Sequence, residues 1–352
     1  MTDINDIRLE KGFNKITFSN YKKSDAKKEL LKCLNKGDIE ASCYWTAEFI
    51  CAGHFKNIWE IFIEFTSRYI HLANPKLPMY MEMRFEVFKN IVVNGYVGNE
   101  LSLRNNNKIR KLFAEIISIL CLSRKKHCIN PIKIEKEEFQ MTNMTKHLKA
   151  KKITYSNGIF RREDPKELLI AVNELGYHLS SDSRNALLAC YWVEWIIEFS
   201  SICKESKADR RAGMPVEAKF QTNIIWIAWE MLLHYGYKKN KMTHEIIKAL
   251  LKLFCIRFGL SSKKKRRYVL YFAVSLITEN VDYNIKVFES KDIIENVKKK
   301  IDVIYKQIKK NEEAPKTDYL FNNSIIGGRK NLENTIKKIE TMNSFLKFVP
   351  RK

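Results

Sequence analysis

Five consecutive cations, Lys263-Lys264-Lys265-Arg266-Arg267, stand directly before an uncharged apolar run over residues 268–278. If that run is a helix, the cations crowd its N-terminus, where the macrodipole is already positive, and each costs roughly a few tenths of a kcal/mol. Selection for stability alone would avoid the placement. A phosphate bound there would be attracted by the side chains and by the free backbone N–H groups together. A second cluster, Arg124-Lys125-Lys126-His127, follows the amphipathic segment 108–122, and a third, Lys298-Lys299-Lys300, lies near the C-terminus. These twelve residues are the expected contacts to a polyanion, with the two turns lining one face. The competing reading is solvated loops, or a nuclear-localisation-like run.

Other residue types that could do chemistry point to structure. Cys121, His127 and Cys128 have the types of a zinc site, but the spacing is wrong for a knuckle and no second Cys/His pair is near in sequence. Glu48, Glu60, Glu64, Glu194, Glu198 and Glu230 sit in apolar helical patterns, yet none belongs to the Glu-x-x-His pairs of a carboxylate-bridged di-metal bundle. They are expected to pair with buried Arg or Lys, or to cap polar contacts. No P-loop, Gly-x-Gly-x-x-Gly, His-Glu-x-x-His, Gly-x-Ser-x-Gly or Cys-x-x-Cys occurs. No enzyme activity, cofactor or metal is therefore expected. All six tryptophans (45, 59, 192, 195, 226, 229) alternate with Ile, Leu and Phe rather than with cations, which favours core packing over base stacking.

The elements that must position these groups read as helices. A hydrophobic fraction of 45% over 352 residues supports a large core, and 12 Gly with 7 Pro is too little punctuation for a turn-rich β architecture. The formal charge of +23 is densest over residues 291–352, where 15 basic face 8 acidic side chains, and favours polyanionic partners. Heavy use of Lys, Asn and Ile would also follow from compositional drift. Eight cysteines, mostly within apolar helical patterns, suit free thiols in a reducing compartment. The acidic opening residues lack the apolar stretch of a signal peptide, and no uncharged run approaches the roughly 20 residues of a membrane span. A soluble intracellular protein, making no membrane contact, is expected.

Along the chain, residues 1–23 form an arm with a possible hairpin around Gly12. Helices are expected over 24–34 with a stop at Gly37, 39–52 with a stop at Gly53, 58–70 broken by Asn74-Pro75, 78–93 closed by Asn94-Gly95, and 108–122. Residues 129–163 read as a connector with one or two short strands (Ile132-Lys133-Ile134-Glu135; Ile153-Thr154-Tyr155) and a turn at Asn157-Gly158. The first half then recurs. Ser42-Cys43-Tyr44-Trp45 is matched by Ala189-Cys190-Tyr191-Trp192, Glu29-Leu30-Leu31 by Glu167-Leu168-Leu169, Asn57-Ile58-Trp59 by Asn223-Ile224-Ile225-Trp226, and the segment 109–127 by 246–267. The expected fold is mainly α, with two tandemly duplicated multi-helix units over 24–128 and 164–290, minor β in arm and connector, and basic C-terminal helices over 291–352. There, Ile294, Val297, Ile301, Ile304 and Ile308 form an a/d seam for a docked helix or a short dimer contact, docking being favoured because two heptads hold a dimer poorly. A loop over 312–331 and a last helix over 332–346 complete the chain.

At Asn74-Pro75-Lys76-Leu77-Pro78-Met79-Tyr80, Leu103-Arg104-Asn105-Asn106-Asn107-Lys108-Ile109-Arg110 and Ala189-Cys190-Tyr191-Trp192-Val193-Glu194-Trp195-Ile196 the chain resembles an uncharacterised helical family of nucleocytoplasmic large DNA viruses. The resemblance spans most of residues 24–350 and carries no catalytic residues. It implies a virus-encoded protein of the host cytoplasm or viral factory. Two functions follow as expectations: a non-enzymatic protein gripping DNA or RNA through phosphates, or a scaffold within a viral replication or transcription assembly or virion, its basic faces meeting acidic proteins.

Overall fold

A computed structural model describes residues 2–313 and Ile336. Within them the chain is helical: α1 (Lys23–Lys36), α2 (Ile39–Cys51), α3 (Phe55–Phe65), α4 (Leu77–Val93), α5 (Glu100–Arg104), α6 (Asn107–Leu122), α7 (Met141–Met144), α8 (Leu168–Leu179), α9 (Ala186–Ile202), α10 (Ile225–Lys239), α11 (Lys241–Cys255), α12 (Ser262–Lys265), α13 (Arg267–Thr278) and α14 (Lys291–Lys309). The stops are those of the sequence. Gly37 ends α1 at φ +76°, and Gly53 follows α2 at the same angle, a region that costs glycine nothing. Asn side chains start α6, α9 and α11, each accepting from the N–H three residues on. The helix expected to end before Asn74 changes pitch first, through a π-helical turn Thr66–Ile70 and a 3-10 turn His71–Ala73. The last helix expected, over 332–346, lies outside the described residues apart from Ile336, as does the loop before it beyond residue 313.

The expected minor β is not there. No strand forms among the described residues; the arm holds one isolated antiparallel bridge, Ile16 to Lys22. In the connector the reason is local. Residues 154–156 form a 3-10 turn, and Asn173 of α8 takes the hydrogen bonds a neighbouring strand would have taken. Its Oδ1 accepts from the Tyr155 N–H at 3.0 Å and its Nδ2 donates to the Lys152 carbonyl at 2.8 Å. Alternation without a second strand cannot hold a ladder.

The described residues group into two compact units that are not contiguous in the chain: those within Met1–Phe65, Met83–Arg124 and Lys286–Lys352 form unit 1, those within Thr66–Glu82 and Lys125–Ile285 unit 2. In unit 1, α14 packs on α2 and α6, and all five seam residues are buried, so the seam is consumed by docking within the chain. The arm is stapled to the same unit. Asn105 brackets the backbone of Ile4 (3.0 and 2.9 Å), while buried Arg110 lies under the Tyr305 ring at 4.1 Å. Glu48, fully buried, accepts from the Ser19 N–H at 2.9 Å and the Ser19 hydroxyl at 2.6 Å. Burial pushes its carboxyl up, and these hydrogen bonds oppose the shift.

In unit 2, α13 is the central helix. Residues 268–278 are buried throughout, and α8, α9, α10 and α11 pack around it. A helix apolar on every side has to be enclosed, which is why the longest apolar run occupies the middle of the unit. All six tryptophans are buried in their cores, as the alternation with aliphatic residues implied.

Candidate polyanion-binding cleft

Unit 2 contains a cleft of about 550 Å³ at one end of α13. Four pieces of chain build it: the last turn of α9 (Ser200, Ser201), the loop after it (Lys204, Ser206, Lys207), a 3-10 turn with the start of α10 (Lys219, Phe220, Asn223), and the approach to α12 with α12 itself (Leu260, Ser261, Lys263, Lys264, Lys265). The loop is held from inside. Buried Arg211 reaches buried Asp164 and Glu230 (3.0 Å), Gln221 ties to Arg210 (2.8 Å) and Ala212 (3.2 Å), and Ala208 N–H meets the Thr222 carbonyl at 2.9 Å.

The five-cation run does not stand free at a helix N-terminus. Lys263 is only 6% exposed, and its ammonium donates to the Ser200 carbonyl at 3.0 Å and to the Ser200 hydroxyl, capping the last turn of α9. Arg266, also buried, donates to the Phe254 carbonyl at 2.5 Å in the last turn of α11. Arg267 faces Glu194 at 3.4 Å, and Lys264 pairs with Glu198 at 2.8 Å. Cations unfavourable for the dipole of α13 are favourable at the C-termini of α9 and α11. Lys263 and Arg266 therefore have acceptors within the protein itself, without a phosphate. Burial, then Lys264 nearby, lowers the Lys263 amine to about 8, while Glu198 opposes the shift.

The other expected site residues are placed as follows. Lys126 pairs with Glu279 at 3.0 Å, Lys125 is half-buried, and exposed His127 sits edge-on to Tyr69 at 5.3 Å. Glu279 caps the C-terminus of α13, so Lys126 is tied to one end of that helix and Lys263–Arg267 surround the other. Twelve helical residues separate them, roughly 18 Å at 1.5 Å per residue. The two turns therefore do not share a site within unit 2. Arg124 belongs to unit 1 and is exposed. Lys298, also in unit 1, pairs with Glu295 (2.8 Å) and Glu115 (3.6 Å), with Lys299 exposed and Lys300 half-buried.

Sequence reasoning missed Lys204, Lys207, Lys219 and Phe220. They lie in a 22-residue break between α9 and α10, and their only signal is a basic, Gly- and Pro-containing loop between strongly apolar helices. It also missed a second constellation. His178 Nδ1 lies 2.8 Å from the Ser183 hydroxyl and its Nε2 3.6 Å from Glu174. These are triad residue types, but His178 is 1% exposed, and Glu174 is anchored by the N–H groups of Lys149 and Ala150. Burial first, then Lys149, lowers His178 to about 4. The arrangement ties the end of α8 to its own loop and the connector. Among the described residues no group of three His, Cys, Asp or Glu is placed to hold a metal ion, and no helix is long and apolar enough to cross a membrane. The chain matches no family model, no curated protein and no solved structure.

Proposed function

We propose that this protein binds nucleic acid through its phosphates, in a non-catalytic role, at the cleft of unit 2. One observation carries the reading. Of six lysines lining the cleft, Lys264 and Lys219 are ion-paired and Lys263 is hydrogen-bonded, whereas Lys204, Lys207 and Lys265 have no carboxylate partner among the described residues. Uncompensated ammonium groups beside the hydroxyls of Ser201, Ser206 and Ser261 suit a phosphodiester backbone, read without base specificity. The formal +23 supplies the long-range attraction.

The test is fluorescence anisotropy with labelled DNA and RNA oligonucleotides over a salt series. Substituting Lys204, Lys207 and Lys265 together by Gln is expected to weaken binding and flatten the slope of log K against log salt by about 2, near 0.7 per lost single-strand phosphate contact. An unchanged slope removes the cleft from the reading.

A scaffold role has its own support in unit 1, where Met83, Val87 and Val93 of α4 and the following Val97 are exposed large apolar residues. Partners that remain after nuclease treatment of a pull-down would favour it. The in-order correspondence of Cys43-Tyr44-Trp45 with Cys190-Tyr191-Trp192 supports reading the helical sets as copies of one ancestor. A virus-encoded origin, and a place in the host cytoplasm or viral factory, rest on the sequence resemblance alone.

A further inference from the structure

We propose that the cleft takes a single-stranded segment, with one unpaired base stacked on Phe220, a deepening that rests on the phosphate-binding reading above. The cleft is not uniformly polar. Half-buried Phe220 and exposed Leu260 lie among its lysines, so an apolar surface sits inside a cationic rim. That pairing of aromatic platform and ammonium groups matches an unpaired nucleotide, whose base offers a π-face while its phosphates meet the rim. A wholly polyanionic ligand has no use for the ring, and a duplex keeps its bases stacked on each other, presenting only phosphates and groove edges.

Phe220 is also fixed in advance. Its ring meets Phe258 edge-on at 5.6 Å, and Phe258 packs on Trp226 at 4.8 Å. The Phe220 carbonyl accepts from the Trp226 indole at 2.6 Å, and its own N–H donates to the Glu217 carbonyl at 2.8 Å. The Lys219 ammonium lies over one face of the ring, 4.9 Å from its centroid, which leaves the opposite face for a base. A platform already ordered loses little freedom on binding. A volume of about 550 Å³ falls within the roughly 300–1,000 Å³ of sites that enclose a small ligand, so the cleft accepts one or two nucleotides rather than a helix.

The experiment compares three probes on the full chain at fixed salt: a fluorescein-labelled oligo(dT) ten-mer, a blunt duplex of the same length, and inorganic polyphosphate as a competitor without bases. The ten-mer is expected to bind at least about tenfold tighter than the duplex. Phe220→Leu keeps an apolar side chain against Phe258 and is expected to weaken the ten-mer about 5-fold or more, from the ~1 kcal/mol lower bound for one stacked base. Competition by polyphosphate should stay unchanged, and Phe220→Tyr should retain ten-mer affinity. Equal losses for ten-mer and polyphosphate, no loss for the ten-mer, or a duplex bound as tightly as the ten-mer each overturn the stacking site while leaving phosphate binding intact. If neither ten-mer nor polyphosphate binds the unaltered chain, both readings fall.

Discussion

Replacing Arg211 by Met removes the cation at the centre of the loop that forms one wall of the cleft. The Arg211 and Asp164 side chains are 1% and 0% exposed. The guanidinium meets both Asp164 oxygens, Glu230 at 3.0 Å, and the Asp209 and Ile159 carbonyls at 2.7 and 3.3 Å. Without it the Asp164 carboxylate is a buried charge lacking a counter-ion, a situation that costs about 3–5 kcal/mol. Two N–H groups, from Arg161 and Asp209, still donate to Asp164 at 2.9 Å, and Glu230 keeps Arg161 at 2.6 Å. These place the cost at the lower end, about 3 kcal/mol. Urea denaturation followed by tryptophan fluorescence is a suitable assay, because the fluorophores are buried in the cores. At a urea m-value of about 1–3 kcal/mol/M, a 3 kcal/mol loss lowers the midpoint by roughly 1 M or more. The double variant Arg211→Met/Asp164→Asn removes both charges while keeping an amide oxygen as acceptor for the N–H groups, and should recover part of the loss, since the stranded charge is the larger cost. A single variant costing under about 1 kcal/mol, or a double variant no better than the single, refutes the account of a charge stranded by its partner's loss.

Binding of the ten-mer should weaken as pH rises past about 8, because Lys263, lowered to that value, sheds its proton, and Lys263→Arg should flatten the curve between pH 7 and 9. The same depressed amine works against folding when charged: its contribution to stability is present above the unfolded value of 10.5 and is lost as pH falls through about 8, so Lys263→Met should narrow the stability difference between pH 7 and pH 9.5. Ile304→Ala, at a fully buried seam position of α14, should cost about 2–5 kcal/mol, with a midpoint independent of protein concentration; a concentration-dependent midpoint would instead show the seam serving a dimer. Gly176→Ala in α8 should destabilise by about 1–3 kcal/mol, because the new Cβ meets the Tyr155 carbonyl oxygen at 2.7 Å as well as the tip of Met231 at 2.5 Å, and backbone cannot step aside as a methionine can; thermal melts matching the unaltered chain would contradict this.

Much of the architecture was legible because its causes are local. Gly37 and Gly53 stop helices through their own φ freedom, and the 3-4 spacing of Ile294, Val297, Ile301, Ile304 and Ile308 fixes which side of α14 is buried. The alternation at Ile153-Thr154-Tyr155 was misleading for the same reason that it was local. It described one chain segment, while a strand needs a neighbour, and the neighbour there is the amide of Asn173. The candidate site was legible only in its charge. Lys263–Arg267 were visible as a cluster, but Lys204, Lys207, Lys219 and Phe220 join them only because α9 and α10 bring the intervening loop to the same end of α13.

By itself the sequence determined a helical chain, the buried tryptophans and an excess of positive charge, all properties of composition and short-range spacing. Only the tertiary structure decided which partners the buried cations take. Lys263 meets Ser200 and Arg266 meets Phe254 because folding sets the ends of α9 and α11 beside them. A charge's energy depends on the dipoles and counter-charges within a few ångströms in space, and sequence order does not record those distances.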